Sequence, residues 1–238
     1  MQNGEVKSAF ILGLLISLGL ALLGYFIGDS AIRFKSFERT VMVKGLSEKE
    51  YPADIALWPI TFTAAHNDLT ALYESIERDA QTVIAFLNAA GFESGEITTA
   101  PPNIMDKLAQ GYEKSRIEFR YAAAQTITVY SSKIEAVRST MNQLAEIGKQ
   151  GVAFTDGGYQ VATEYLFTRL NEVKPNMVEE ATMKAREVAE KFAKDSNSKL
   201  GKIKRARQGQ FSIASRDKNT PHIKKIRVVS TVEYYLSD

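Results

Sequence analysis

Two histidines, His66 and His222, and two acidic residues set among apolar neighbours, Asp54 and Glu164, are the side chains of this 238-residue sequence best suited to chemistry. An imidazole and a carboxylate can serve as a general base or as part of a zinc site, but each use needs further ligands or a nucleophile held in a fixed frame. The sequence has no His-Glu-x-x-His, Gly-x-Ser-x-Gly, Walker loop or Gly-x-Gly-x-x-Gly. His66 falls at the mouth of an expected helix and His222 beside Pro221 in an expected turn, places that suit capping or surface roles. Asp54 at a strand start suits a turn hydrogen bond, and Glu164 suits an outward strand position. The sequence therefore predicts no catalytic residues, no cofactor and no metal ligands.

A second kind of chemistry is electrostatic. From Lys199 to Arg227 there are ten basic residues against the single acid Asp217, Arg216 and Lys218 among them. The other eight, Lys199, Lys202, Lys204, Arg205, Arg207, Lys224, Lys225 and Arg227, form a candidate face for anionic lipid headgroups or an acidic partner. A solvated hairpin with no specific partner is the alternative. Nucleic acid is not expected, because only Phe211 interrupts the run and stacking surfaces need aromatics spaced along a groove.

The elements that carry these residues begin with an anchor. Residues 9–27 run 19 positions without a charge, close to the length that crosses the ~30 Å hydrocarbon layer as a helix. A cleavable signal peptide would have a shorter apolar centre and small residues at its end, whereas Tyr25, Phe26 and Asp29 occupy those places. Residues 1–30 are thus expected to be a short tail and an uncleaved transmembrane anchor. Lys7 precedes the span while Arg33, Lys35, Arg39 and Lys44 follow it, a balance that by itself would hold the body in the cytoplasm. With no cysteine, the fold uses neither disulfides nor thiolate metal sites. Hydrophobic residues at 45%, charged residues at 24% and a net charge of +2 exclude a disordered chain and a strongly basic nucleic-acid protein.

Three helices follow from spacing. The first places Leu69, Leu72, Tyr73, Ile76, Ala80, Val83, Ile84 and Leu87 on one face, with Asn67 as cap and Gly91 as terminator. The second opens on Ser132-Lys133-Ile134-Glu135, a capping-box pattern, and runs through Val137, Met141 and Leu144 to Gly148. The third opens near Pro175, carries Val178, Ala181, Ala185, Val188, Ala189 and Phe192, and ends about Leu200-Gly201. Its alanines would let it lie close to a neighbour. Strands are expected over 40–45, 54–65, 96–104, 117–130 and 159–168, with a final strand in which Ile226, Val228, Ser230, Val232, Tyr234 and Leu236 share one face. Pro59 interrupts the second strand, and a one-residue bulge at Trp58-Pro59 would put Ile55, Leu57, Ile60 and Phe62 on one face. Runs of strands between single helices predict an α+β fold, helices packed on mostly antiparallel sheet.

The order of these pieces resembles the SIMPL-domain family, a group of mostly bacterial envelope proteins. The resemblance rests on Thr40-Val41-Met42-Val43-Lys44-Gly45, on Pro52-Ala53-Asp54-Ile55-Ala56, and on Tyr121-Ala122 leading into Thr126-Ile127-Thr128-Val129. It continues through the helix with Ala181, Ala185-Arg186 and Ala189, then Leu200-Gly201-Lys202-Ile203 and the last strand. Trp58-Pro59 and Gly45-Leu46-Ser47 depart from the pattern. The resemblance implies a two-lobed body over 39–238, with approximate lobes 39–110 and 111–238 and the last strands returning to the first lobe. It further implies display outside the cytoplasmic membrane, a tendency to self-assemble, and an association with oxidative and envelope stress. It carries no catalytic residues over, and it reverses the orientation suggested by flanking charge. The expected protein is a single-pass, membrane-anchored, homo-oligomeric structural or interaction protein of the envelope. A small-ligand or envelope-component binding module using an inter-lobe cleft is the alternative, and a hydrolase using Asp54 or His66 comes after both.

Overall fold

The computed structural model describes residues 2–36, 39–111, 118–155 and 162–237. It is an α+β protein with antiparallel sheets, as its strand and helix order implies. The first element, α1 (Gln2–Ser36), contains Phe10–Ser30, 21 residues of mean hydropathy 2.5 with almost every side chain exposed. Its length and composition fit a membrane anchor or a signal sequence.

The chain then forms two compact units, each assembled from separated stretches. The first comprises Met1–Glu48, Lys174–Phe211 and Arg227–Asp238, the second Lys49–Val173 and Ser212–Ile226. The expected lobe division at residue 110 falls inside the second.

In the first unit the sheet order is β1 (Thr40–Pro52), β10 (Ile223–Ser237), β8 (Lys199–Gln208), so the strand latest in sequence is the central one. β9 (Ser212–Ser215), which belongs to the second unit, also pairs with β10, whose first residues, Ile223 to Ile226, belong to that unit. Ile226, Val228, Ser230, Val232 and Tyr234 alternate inward on β10 as their period of two requires. One face of this sheet is covered by α5 (Leu170–Asp195), whose buried residues Met177, Ala181, Ala185, Ala189 and Ala193 make a stripe of mostly small side chains. Because that stripe lacks bulk, the backbone of β1 approaches closely, and Gly45 lies where any β-carbon would collide with Ala181 and Ala185 backbone atoms. α5 starts at Leu170 rather than at Pro175, which sits within it, and it stops at Asp195, with Leu200-Gly201 already in β8. Val188 and Phe192 face solvent instead of the core.

In the second unit β2 (Ile55–His66) is flanked by β5 (Tyr121–Ser131) on one side and by β6 (Ala153–Thr155) and β7 (Glu164–Leu166) on the other. β3 (Ile97–Thr99) and β4 (Asn103–Asp106) pair with the far edge of β5, split by Pro101 and Pro102 where one strand was expected. The expected strands over 117–130 and 159–168 begin in residues outside those described. The expected bulge at Trp58-Pro59 is absent. Pairing runs in constant register from Ala56 opposite Ser131 to His66 opposite Tyr121, so Ala56, Trp58, Ile60 and Phe62 face the core and Leu57 does not. Pro59 is accommodated because β7 pairs with residues 55–57 and β6 with 61–63, leaving its position without a ladder on that edge among the described residues.

The core of this unit packs Trp58, Ile60, Phe62, Ile127 and Val129 under Leu72, Ile76, Val83 and Leu87 of α2 (Leu69–Ala89). Each such side chain contributes roughly 1.5–3 kcal/mol on burial. Gly91, at φ 91°, ends α2 as expected, but the cap is Asp68, whose Oδ1 accepts the Ala71 amide at 2.9 Å. Asn67 is occupied elsewhere: its carboxamide donates to the Glu118 carbonyl and accepts the Arg120 amide. The Ser132 capping box is also absent. Ser131 Oγ accepts the Lys133 amide, Glu135 pairs with Arg138, and the helix breaks after α3 (Ile134–Met141) before resuming as α4 (Leu144–Gly148).

Candidate functional site

Asp54 and His66 are engaged in hydrogen bonds that fix local structure. Asp54, just before β2, accepts the Thr168 amide at 2.9 Å, the Thr168 hydroxyl at 2.9 Å and Arg169 Nε at 3.2 Å. Burial works against its charge, yet these hydrogen bonds outweigh it and hold the carboxyl below the usual range. A carboxylate so stabilised is a poor proton acceptor at neutral pH. His66 Nδ1 accepts the Asp68 amide at 3.0 Å, a turn that aims the α2 cap. His222 stands edge-on to the Tyr165 ring at 5.9 Å, and burial followed by the nearby Arg138 pushes its pKa below the ordinary 6.5. Glu164 is exposed, opposite Leu57. Among the described residues no three His, Asp or Glu side chains converge as a metal site would require.

The basic residues separate into two groups. Lys199, Lys202, Lys204, Arg205 and Arg207 lie on β8 and Arg227 on β10, all within the first unit, whereas Lys224 and Lys225 belong to the second. Every residue of β8 except Leu200 is exposed. Arg205 and Arg207 stand opposite Glu233 and Thr231, on the face away from α5. There Lys204 pairs with Glu233 at 3.3 Å and lies 5.7 Å from the Tyr235 ring centre, while Thr40 donates to the same Glu233 carboxylate at 2.9 Å. The Thr40 hydroxyl and Lys204 lower the Glu233 pKa against a small cost of burial. Lys224 is turned to Ser215 Oγ at 2.9 Å, and burial depresses its pKa.

A surface that the motifs did not indicate emerges from strand register. The helices of the second unit pack on one face of its sheet. On the other, Thr155, Thr61 and Thr126 form a row across β6, β2 and β5, with Thr128 opposite Thr98 and Thr63 between Ala153 and Ala124. The Thr61 and Thr126 hydroxyls are 2.9 Å apart and bond each other. Leu57, Ala65, Ala122, Met105 and Tyr130 extend the same face. Among its described paired residues, Glu164 at the β7 edge is the only charged side chain. The threonine alternation was visible in the sequence, but only pairing shows that the rows from separate strands are contiguous and uncharged.

Residues 41–233 match the family model named SIMPL, described as a protein of unknown function (DUF541), and this chain belongs to that family. No curated protein matches the chain.

Proposed function

We propose that this SIMPL-family protein is a membrane-anchored scaffold displayed outside the cytoplasmic membrane, acting without catalysis by assembling with copies of itself. The uncharged threonine and alanine face of the second sheet carries this reading. Charged residues make up 24% of the chain, so a broad sheet face with one peripheral carboxylate is a marked depletion. Depletion of charge characterises the centre of protein interfaces. Away from Glu164 at its edge, this face meets its own copy with no like-charge repulsion and no ions to desolvate, and sheets stack face to face at about 10 Å. Thr61 and Thr126 already satisfy each other, which limits the cost of removing water from them. Anchoring through 9–27 supplies a second contribution by concentrating copies in a plane. The engagement of Asp54 and His66 in structural hydrogen bonds supports a non-enzymatic role. The association with envelope or oxidative stress is carried by the family resemblance.

The test is light scattering of the detergent-solubilised full chain over a dilution series, beside Thr61→Lys and Thr126→Lys. A multiple of the monomer mass that collapses in both variants, with their circular dichroism unchanged, is the expected outcome. A wild-type monomer at all concentrations, or an assembly indifferent to both lysines, rejects the reading.

A further inference from the structure

β8 ends the sheet of the first unit: it pairs with β10 on one side, and no strand lies on the other among the described residues. β8 is exposed along almost its whole length; its pairing with β10 shifts register on either side of Ile203 but runs regularly from Arg205 to Gln208, where the outer edge presents backbone donors and acceptors to any chain that can run beside it. From that geometry we propose that the free edge of β8 binds an extended acidic segment of another protein as an added strand, with acidic and apolar residues alternating along the segment.

The two faces of the edge set this pattern. An added strand turns successive side chains to opposite faces. Those on the far side from α5 would meet Arg205 and Arg207, which stand in register with Arg-facing partners Glu233 and Thr231 across β10. Those on the α5 side would enter a groove of about 550 Å3 lined by Thr182, Met183 and Arg186 of the helix and by Lys202 and Ile203 of the strand. Met183 and Ile203 are both largely exposed there, apolar surface that a valine or leucine would cover. Charge selects among occupants. A second β8 would set Lys202, Arg205 and Arg207 against the same cations of its copy, a pairing that edge lysines and arginines are suited to prevent. A second copy of β1 brings Lys44 and Lys49 with Glu48 and Glu50, and so no net complement. An acidic strand satisfies both the ladder and the charge. This interface does not depend on self-assembly through the threonine face, and Thr61→Lys leaves β8 untouched.

The experiment uses the full chain in neutral detergent and a short labelled peptide alternating glutamate and valine, read by fluorescence anisotropy and by amide hydrogen exchange. Binding that slows exchange in 199–208, weakens on N-methylation of alternate peptide amides by about tenfold or more, and falls with salt is expected. The Arg205→Glu, Arg207→Glu double variant should lose that peptide and accept one alternating lysine and valine. Polyglutamate or phosphatidylglycerol vesicles binding as tightly as the alternating peptide would overturn the proposal, since a diffuse cationic surface needs no strand. Indifference to N-methylation overturns it in the wild-type protein, whatever the variant's stability, as does the absence of protection in β8.

Discussion

Gly45 of β1 packs directly against the backbone of Ala181 in α5, so closely that a β-carbon on Gly45 would overlap the Ala181 carbonyl oxygen. The obstruction is main chain and cannot rotate away. Gly45→Ala is expected to lower stability by about 3 kcal/mol or more, toward the upper end for overpacking. Truncating the opposing side chain in Ala181→Gly should bring no recovery. Urea midpoints of the two single variants and the double variant measure this.

Phe62 is wholly buried beneath α2, on the same face of β2 as Trp58, the only tryptophan. Phe62→Ala is expected to cost about 3–5 kcal/mol. Trp58 emission should be blue-shifted in the native protein and report unfolding of the second unit in particular. A variant within 1 kcal/mol of wild type, about a factor of five in the folding constant, would mean that the site closes over the lost volume.

Glu96 couples a helical turn to β5. Its carboxylate accepts the Glu93 amide at 2.9 Å, the Ser131 hydroxyl at 2.5 Å and the Lys133 ammonium at 2.9 Å. The Glu93 amide first, then Ser131 and Lys133, lower its pKa from 4.5 to about 2. A depressed carboxyl means that the folded state holds fewer protons than the unfolded one across that window. Its stabilisation is therefore complete above 4.5 and is lost as pH falls through about 2. Melting temperatures against pH should show Glu96→Gln less stable than wild type at neutrality, flatter in the acid window, and converging with wild type at its lower end.

Asp54 joins the start of β2 to the segment entering α5 through Thr168 and Arg169. Asp54→Ala should cost about 1–3 kcal/mol by leaving the Thr168 amide and hydroxyl without their acceptor. Asp54→Asn should cost less, since its amide oxygen can still accept one of the bonds. Equal midpoints for all three proteins in urea would show that water replaces the carboxylate.

The absence of native cysteine makes topology directly measurable. Ser212→Cys, exposed on β9, should react with a membrane-impermeant maleimide on intact spheroplasts if the body lies outside the cytoplasmic membrane. Labelling only after lysis would place the body in the cytoplasm, as the charges flanking the span suggested.

Strong periodicity made α2 and β10 legible in the sequence, because each buries one face and repeats the pattern over many residues. The cap of α2 was misplaced by one residue: Asn67 and Asp68 are both suitable, and only the 118–120 segment, distant in sequence, decides that Asn67 is used elsewhere. Pro59 predicts a bulge because a lone strand does not reveal that its neighbours leave a gap. β8 is legible only as one arm of a hairpin before the last strand, without bounds, since it is exposed on both faces and so lacks alternation. The threonine face was hidden for a related reason. Its threonines lie on four strands, and their adjacency exists only in the register.

The strand order β1, β10, β8 also sets a timetable. The ribosome delivers β1 early and β8 much later, and neither acquires its hydrogen-bonding neighbour until β10 has been translated. Until then the alanine stripe of α5 has no completed sheet to lie on, while β2 to β7 are already available to the other unit. A nascent or truncated polypeptide lacking β10 would leave β1 and β8 without the strand that both pair with. Translation of the central strand is thus the step after which both of its neighbours can pair.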